Sequence, residues 1–321
     1  IILNILFPDF QARIMITQIL SKIEPSLVTI EKMKNESKKI IITRISKKAN
    51  KKDVNKFVDR ITEFFFVQPI NLDPSGIIKR IEHIVNLGEK RLKNEISKIY
   101  ESDENERNNL IAAIASLIEL HQLEKILRHN IELIKKTKSI PLAYSLQMIL
   151  PIINKIAKAL YSATHSFLNY IPTGDSIGPY ISLRIMKMGK GRIIDQKEFE
   201  TILWKGKIFG KNVFILKAKG EGGNVGKIGR AIEHTIKRYK IKKVVTIDAA
   251  IKLEGEKSGS VARGVGVAIG GIGIDRAFVE EIATKYKVDL ECIIVKMDVD
   301  EAIYPMKREI YNATNNVLEE I

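Results

Sequence analysis

The chain has a single cysteine, Cys292, so it can form neither an intrachain disulfide nor a cysteine zinc cluster, which fits a reducing interior. Its five histidines are scattered, and no pair has metal-ligand spacing. Acidic residues are in short supply: 38 Asp and Glu stand against 53 Lys and Arg, a formal charge of +15 that raises the question of an anionic partner. Signal-peptide cleavage patterns, internal repeats and low-complexity tracts are missing. Glycine is nearly absent from the first half, where only Gly76 and Gly88 precede residue 171, whereas 18 of the 20 glycines follow it.

That shift marks a domain boundary near Tyr170, with domains at 1–170 and 171–321. The 321 residues, 45% hydrophobic and 28% charged, are ample for two cores. In the first part Leu110, Ile111, Ile114, Leu117, Ile118, Ile126, Leu127, Ile131 and Ile134 recur at helical spacing. A second helical pattern runs from Leu142 to Leu168, with Pro151 as a kink or boundary. In the second part Asn212–Ala218, Lys243–Asp248, Val261–Ile269 and Leu290–Met297 read as strands. Tyr180–Met188, Gly226–Tyr239, Asp275–Tyr286 and Glu301–Leu318 read as helices. The expected fold is α/β: an all-helical N-terminal domain, then a layered α/β domain with some parallel strands.

The opening IILNILF reads either as the inner end of a membrane-spanning segment or as the apolar start of a soluble helix, since seven residues cannot cross a core that needs roughly 20. Residues 1–60 hold 13 basic and 6 acidic side chains, so +7 of the charge lies beside this end. That placement points to an anionic membrane surface and a cytoplasm-facing chain more than to a nucleic-acid groove. No aromatic-and-basic platform or nucleic-acid-binding motif is visible in the linear sequence.

Three segments carry the candidate chemistry. TGDSIGP (Thr173–Pro179) precedes a helical pattern, and its Gly178 and Pro179 suit a sharp helix entry. Asp175 in that turn is either a capping residue or a functional carboxylate, with Gly174 and Ser176 beside it. GEGGNVGKIG follows a strand and opens a helix, so Gly220, Glu221, Gly222, Gly223, Asn224 and Gly226 are candidates to cradle a substrate backbone or an anion, helped by Lys227 and Arg230. The spelling is GxGxxxG without GK[ST], which leaves a nucleotide site weakly supported beside a plain tight turn. The third segment is the strand ending at Asp248, where open α/β sheets bind ligands, followed by Glu256, Ser258 and Arg263 as further substrate contacts. If the first and third segments converge, two close carboxyls cannot both ionise cheaply, and the pair can act as acid and base on water.

TGDSIGP, GEGGNVGKIGRAIE, TIDAAIKLEGEKSGS and GVGVAIGGIG, with the helical passage FFFVQPINLDPSGIIKRIEHI, together resemble an archaeal family of domains of unknown function numbered fifteen-twelve. That resemblance implies a membrane-spanning segment ahead of the helical region. The C-terminal half also resembles spore germination and hydrogenase maturation proteases in motif order: an Asp before xxGP, a glycine turn into a helix, then a strand ending in Ile-Asp-Ala. The resemblance implies a three-layer, phosphorylase/hydrolase-like fold and an acid pair at Asp175 and Asp248. Two departures stand out: no strand runs into the first motif, and no histidine follows His234 to complete a maturation-protease metal site.

The resulting expectation is a membrane-anchored, cytoplasm-facing peptidase of the aspartic type, acting on a protein or peptide, with no metal or cofactor specified and an oligomer compatible with it. The alternative is a non-catalytic protein that uses the glycine loops to bind a nucleotide or phosphorylated ligand.

Overall fold

A computed structural model describes residues 8–64, 76–219, 226–271 and 273–321. They fall into two compact units, Ile1–Phe64 with Ala113–His165 and Phe65–Ala112 with Ser166–Ile321. The opening IILNILF, most of the FFFVQPINLDPSG passage, and Gly220, Glu221, Gly222, Gly223 and Asn224 lie outside the described residues.

Among the described residues through 168 the regular structure is helical: α1 (Pro8–Ile45), α2 (Lys51–Thr62), α3 (Ile77–Ile99), α4 (Glu104–Thr137) and α5 (Ile140–Leu168). In the first unit, Ile16, Ile23, Leu27, Ile30, Ile41 and Ile45 form the buried stripe of α1. Ile114, Leu117, Leu120, Leu127, Ile131 and Ile134 form that of α4. Each such side chain contributes roughly 1.5–3 kcal/mol on full burial. Ile126, expected in the α4 stripe, is 59% exposed, because adjacent residues on a helix are 100° apart and Leu127 occupies the inner position. Pro151 neither ends nor interrupts α5, which continues on both sides of it. Polar ties fix the packing: Tyr161 Oη donates to Glu36 at 2.8 Å, and the buried Glu124 accepts from Lys34 at 3.3 Å and Arg128 at 2.7 Å.

The second unit holds two small sheets. β1 (Lys190–Gln196), β2 (Thr201–Ile208) and β3 (Lys211–Ala218) form an antiparallel meander. β4 (Lys243–Ile251), β6 (Asp289–Met297) and β5 (Val261–Val265) form the other sheet in the order β4-β6-β5, with β4 parallel and β5 antiparallel to β6. Helices α6 (Ile177–Met186), α7 (Ile228–Arg238), α8 (Ile274–Tyr286), α9 (Val299–Ile303) and α10 (Arg308–Glu320) cover them.

Side-chain alternation shows that the sheets act as one layer. Val213 and Ile215 of β3, Ile247 and Ala249 of β4, and Ile293, Val295 and Met297 of β6 pack into a core with α6 and α10. Their alternate neighbours Leu216, Val244 and Leu290 pack into a second core with α7 and α8. The result is α/β/α layering, as expected for strands apolar on both faces.

Three local expectations change. The strand expected over Val261–Ile269 stops at Val265, where Gly266 takes φ +117°. The helix expected over Glu301–Leu318 breaks into α9 and α10 at Pro305, which cannot donate a helical hydrogen bond. β1 and β2 were not among the expected strands; β1 (KGRIIDQ) has little of the apolar alternation that marks one.

Candidate active site

The site is built where α6 meets the end of β4. A side chain at Gly178 would put its Cβ 2.6 Å from the Ile247 carbonyl oxygen, so only glycine lets the first turn of α6 sit against β4 beside Asp248. Gly174 is equally constrained: a Cβ there would lie 2.2 Å from the Glu301 carbonyl oxygen, and its N–H donates to the Tyr304 oxygen at 3.0 Å. A β-bridge between Thr173 and Pro305 completes the seam. The TGDSIGP turn is thereby clamped between β4 and the α9 segment.

Asp175 lies in the 3₁₀ turn Gly174–Ser176, and the Ser176 N–H closes that turn on the Thr173 oxygen at 3.0 Å. Asp175 is open to solvent, yet protein packed around its carboxyl raises its pKa by desolvation. Water therefore reaches the residue, but the surroundings solvate its charge poorly. Asp248 is half-buried, and its pKa is pushed up to about 6, first by desolvation and then by the charge of Asp175. Hydrogen bonds oppose the shift without cancelling it: Ala249 N–H donates to Oδ1 at 2.8 Å and Gly270 N–H to Oδ2 at 2.5 Å. The charge of Asp175 thus reaches Asp248.

Gly270 explains the glycine run after β5. Residues beyond Gly266 lie along β4, with the Ala268 N–H on Thr246 Oγ1 at 2.9 Å and the Gly270 N–H on Asp248. The two bonds are two residues apart on both segments, so the run meets alternate side chains of one strand face. Those N–H groups orient Asp248 and leave its carboxylate a rigid acceptor.

Other sequence candidates are placed differently. Ser258 donates to Glu301 Oε2 at 2.6 Å, so it belongs to the clamp that holds the Asp175 turn. Glu256 accepts from the Leu253 N–H at 2.8 Å and pairs with Lys296, which closes its own loop. Arg263 pairs with Glu291 at 2.6 Å and donates to the Glu320 carbonyl at 2.8 Å. In β6 register it stands beside Ile293, whereas Asp248 stands beside Ile294, so the two side chains leave opposite faces of the sheet. Arg263 is not brought to the carboxylate pair.

Gly226 takes φ +60° and approaches the Glu200 oxygen, and the neighbouring Lys227 N–H donates to Phe199 O at 2.8 Å. At the start of α7 the Gly229 N–H is already taken by Asp275 Oδ1 at 2.7 Å. Arg230 is paired with Glu82 at 3.1 Å and lies over the Phe278 ring. The described part of this glycine turn has thus satisfied its donor and its arginine internally.

Glu301 is the residue that the sequence reading missed. Burial would raise its pKa, but hydrogen bonds from Lys307, Ser258 and the Asp298 N–H overcome that and hold it at about 2. Its reciprocal bond with the Asp298 backbone is a capping box, and Asp-x-x-Glu at 298–301 was the available signal. Among the described residues no group of three or more His, Cys, Asp or Glu side chains forms a metal site.

Comparison with solved structures finds a weak likeness to peptidyl-tRNA hydrolases. One, crystallised with N-propanol, is 11% identical, and one from Acinetobacter baumannii is 12% identical; each has a TM-score of 0.34 over 46% of this chain and 75% of the other. Comparison with curated proteins gives no match. Residues 1–170 match the family described as "Protein of unknown function (DUF1512) N-terminal domain", residues 173–321 match "Domain of unknown function (DUF1512) C-terminal", and the chain belongs to the DUF1512 family.

Proposed function

We propose that this protein is a hydrolase, specifically a peptidase of the aspartic type, in which Asp175 and Asp248 share the acid and base roles. The observation that carries this reading is the apposition of the Asp175 turn and the end of β4. It gathers two carboxyls into one site and leaves Asp248 titrating at about 6. At and below about pH 6 Asp248 can hold a proton while its partner is ionised. The ionised member takes a proton from water as its oxygen attacks the amide carbon. The protonated member donates to the carbonyl oxygen, and return of a proton to the amide nitrogen releases the amine. The N–H groups of Ala249 and Gly270 support the reading by fixing Asp248, and the Glu301 clamp supports it by fixing the backbone around Asp175. A protein or peptide substrate is favoured by the apolar Ile251 and Leu253, 72% and 74% exposed just past Asp248.

The test is cleavage of a proteome-derived peptide mixture, read by mass spectrometry of new termini. The native chain should produce new termini, and Asp175→Asn and Asp248→Asn should each abolish them while keeping the native circular dichroism spectrum. Undiminished cleavage by both variants rejects the assignment.

The proposal places the enzyme on the cytoplasmic side of a membrane, with the basic first sixty residues toward anionic lipid. The charge balance of that segment supports this. Release from anionic vesicles by salt is the expected result, and equal binding to neutral vesicles counts against it.

A further inference from the structure

The antiparallel sheet places cations directly opposite cations. Arg192 of β1 faces Lys205 of β2, and Lys190 faces Lys207. Like charges in register repel, so the fold gains nothing from these pairs. Among the described residues none of the four forms an ion pair with a carboxylate. All four share one face of the sheet with Phe214, which is in register with Lys205 on the other side. The Phe214 ring stacks on Tyr239 at 4.5 Å between centroids, and the Lys205 ammonium lies 4.4 Å from the Tyr239 centroid. The aromatic pair thus holds one cation on the face.

The hairpin tip adds a second anomaly. Phe209 and Gly210 both take positive φ, +48° and +76°, the two-residue turn that normally favours Asn-Gly. A bulky aromatic is strained there, and Phe209 is 84% exposed, so its ring contributes little to the core. An exposed ring at the tip of a hairpin whose face carries two ranks of cations without carboxylate partners suits a polyanion carrying flat bases.

We propose that this face binds single-stranded nucleic acid, with Lys190, Arg192, Lys205 and Lys207 taking phosphates and Phe209 stacking on a base. The cations extend across the sheet face rather than ringing the tip. Lys205 is half-buried and a further step from the hairpin than Lys207, so a flexible strand lying across the sheet reaches it, whereas a lipid surface meeting the tip end-on does not. This surface is separate from the carboxylate pair, and the proposal is independent of the peptidase reading.

The experiment is fluorescence anisotropy of the full chain with labelled oligouridylate or oligothymidylate of about 16 nucleotides across a salt series. Phe209→Ala should weaken binding about 5-fold or more at unchanged salt slope. Arg192→Gln with Lys207→Gln should lower the slope of log affinity against log salt by about 1.4, and Lys205→Gln by about 0.7. Asp175→Asn should leave binding as it is. No oligonucleotide binding at low salt, equal affinity for blunt duplex, or binding of phosphatidylserine vesicles in place of oligonucleotide overturns the proposal.

Discussion

Two glycine turns open helices in the α/β unit, and they differ in what faces them. At Gly174–Gly178 the turn is pressed against β4 and α9, and it carries an Asp open to water beside a second, half-buried Asp. At Gly226–Gly229 the turn is equally tight, but Asp275 already accepts from the first turn of α7 and Glu82 already pairs with Arg230. The glycines do the same mechanical work in both places, which is to admit a close backbone approach. What separates the two is that among the described residues the Asp175 carboxyl has no hydrogen-bond or ion-pair partner, whereas Asp275 is committed to the Gly229 N–H.

The largest expected effect follows from that difference. Replacing Asp175 or Asp248 by Asn should each cost about 10²–10⁴ in turnover, and the double variant little more than the worse single one, because the pair acts as a unit. Asp248 titrates near 6 partly through the charge of Asp175, so Asp175→Asn should move the Asp248 midpoint downward, as read by carboxyl NMR. Stability gives the sign independently. The folded-state pKa of Asp248 is raised from 3.8 to about 6, so its contribution is fully present below pH ~4 and is lost as pH rises through about 6. The shift corresponds to a swing of about 3 kcal/mol. Asp248→Asn should therefore gain stability relative to the native chain between pH 4 and pH 8 in urea titrations. A difference independent of pH would show that Asp248 has no perturbed titration and would remove the electrostatic support for the acid pair.

A smaller effect tests the mechanical half of the comparison. Gly178→Ala places a methyl 2.6 Å from a backbone oxygen, which cannot swing aside. It should destabilise by about 1–3 kcal/mol and reduce cleavage by more than the loss of folded protein explains. Gly210→Ala, with nothing within 4 Å, is the control: it introduces positive-φ strain but no clash and should leave cleavage intact.

Much of this site was legible as separate strings, because Asp175 sits at a Gly-Pro helix entry and Asp248 at the end of an apolar strand, both local patterns. Their meeting was not derivable from composition or periodicity, since it depends on Gly178 contacting a strand some seventy residues later in the chain. Glu301 escaped because its partners Ser258 and Lys307 lie outside its own turn. The basic face of β1 and β2 escaped for a related reason. Lys190, Arg192, Lys205 and Lys207 are unremarkable in sequence and become a surface only through antiparallel register. Helices were read more surely than strands, because a 3.6-residue stripe such as that of α4 is complete within one segment, whereas β1 depends on its neighbour for definition.

The smallest expected effect lies at the closed turn. Asp275 stands in the first turn of α8 and accepts from the Gly229 N–H in the first turn of α7, so one carboxylate serves two helix starts. Desolvation raises its pKa, the Gly229 hydrogen bond lowers it, and the charge of Glu82 raises it again. The net result resembles Asp175 in direction, so titration alone cannot tell a joint from a site; only function can. Asp275→Ala should cost about 1 kcal/mol of stability by removing the acceptor, and Asp275→Asn should restore most of it because the amide oxygen can still accept. Both should cleave at the native rate once corrected for folded fraction. A loss in Asp275→Asn comparable to that in Asp248→Asn would move the chemistry to the second glycine turn and reverse the assignment of the two regions.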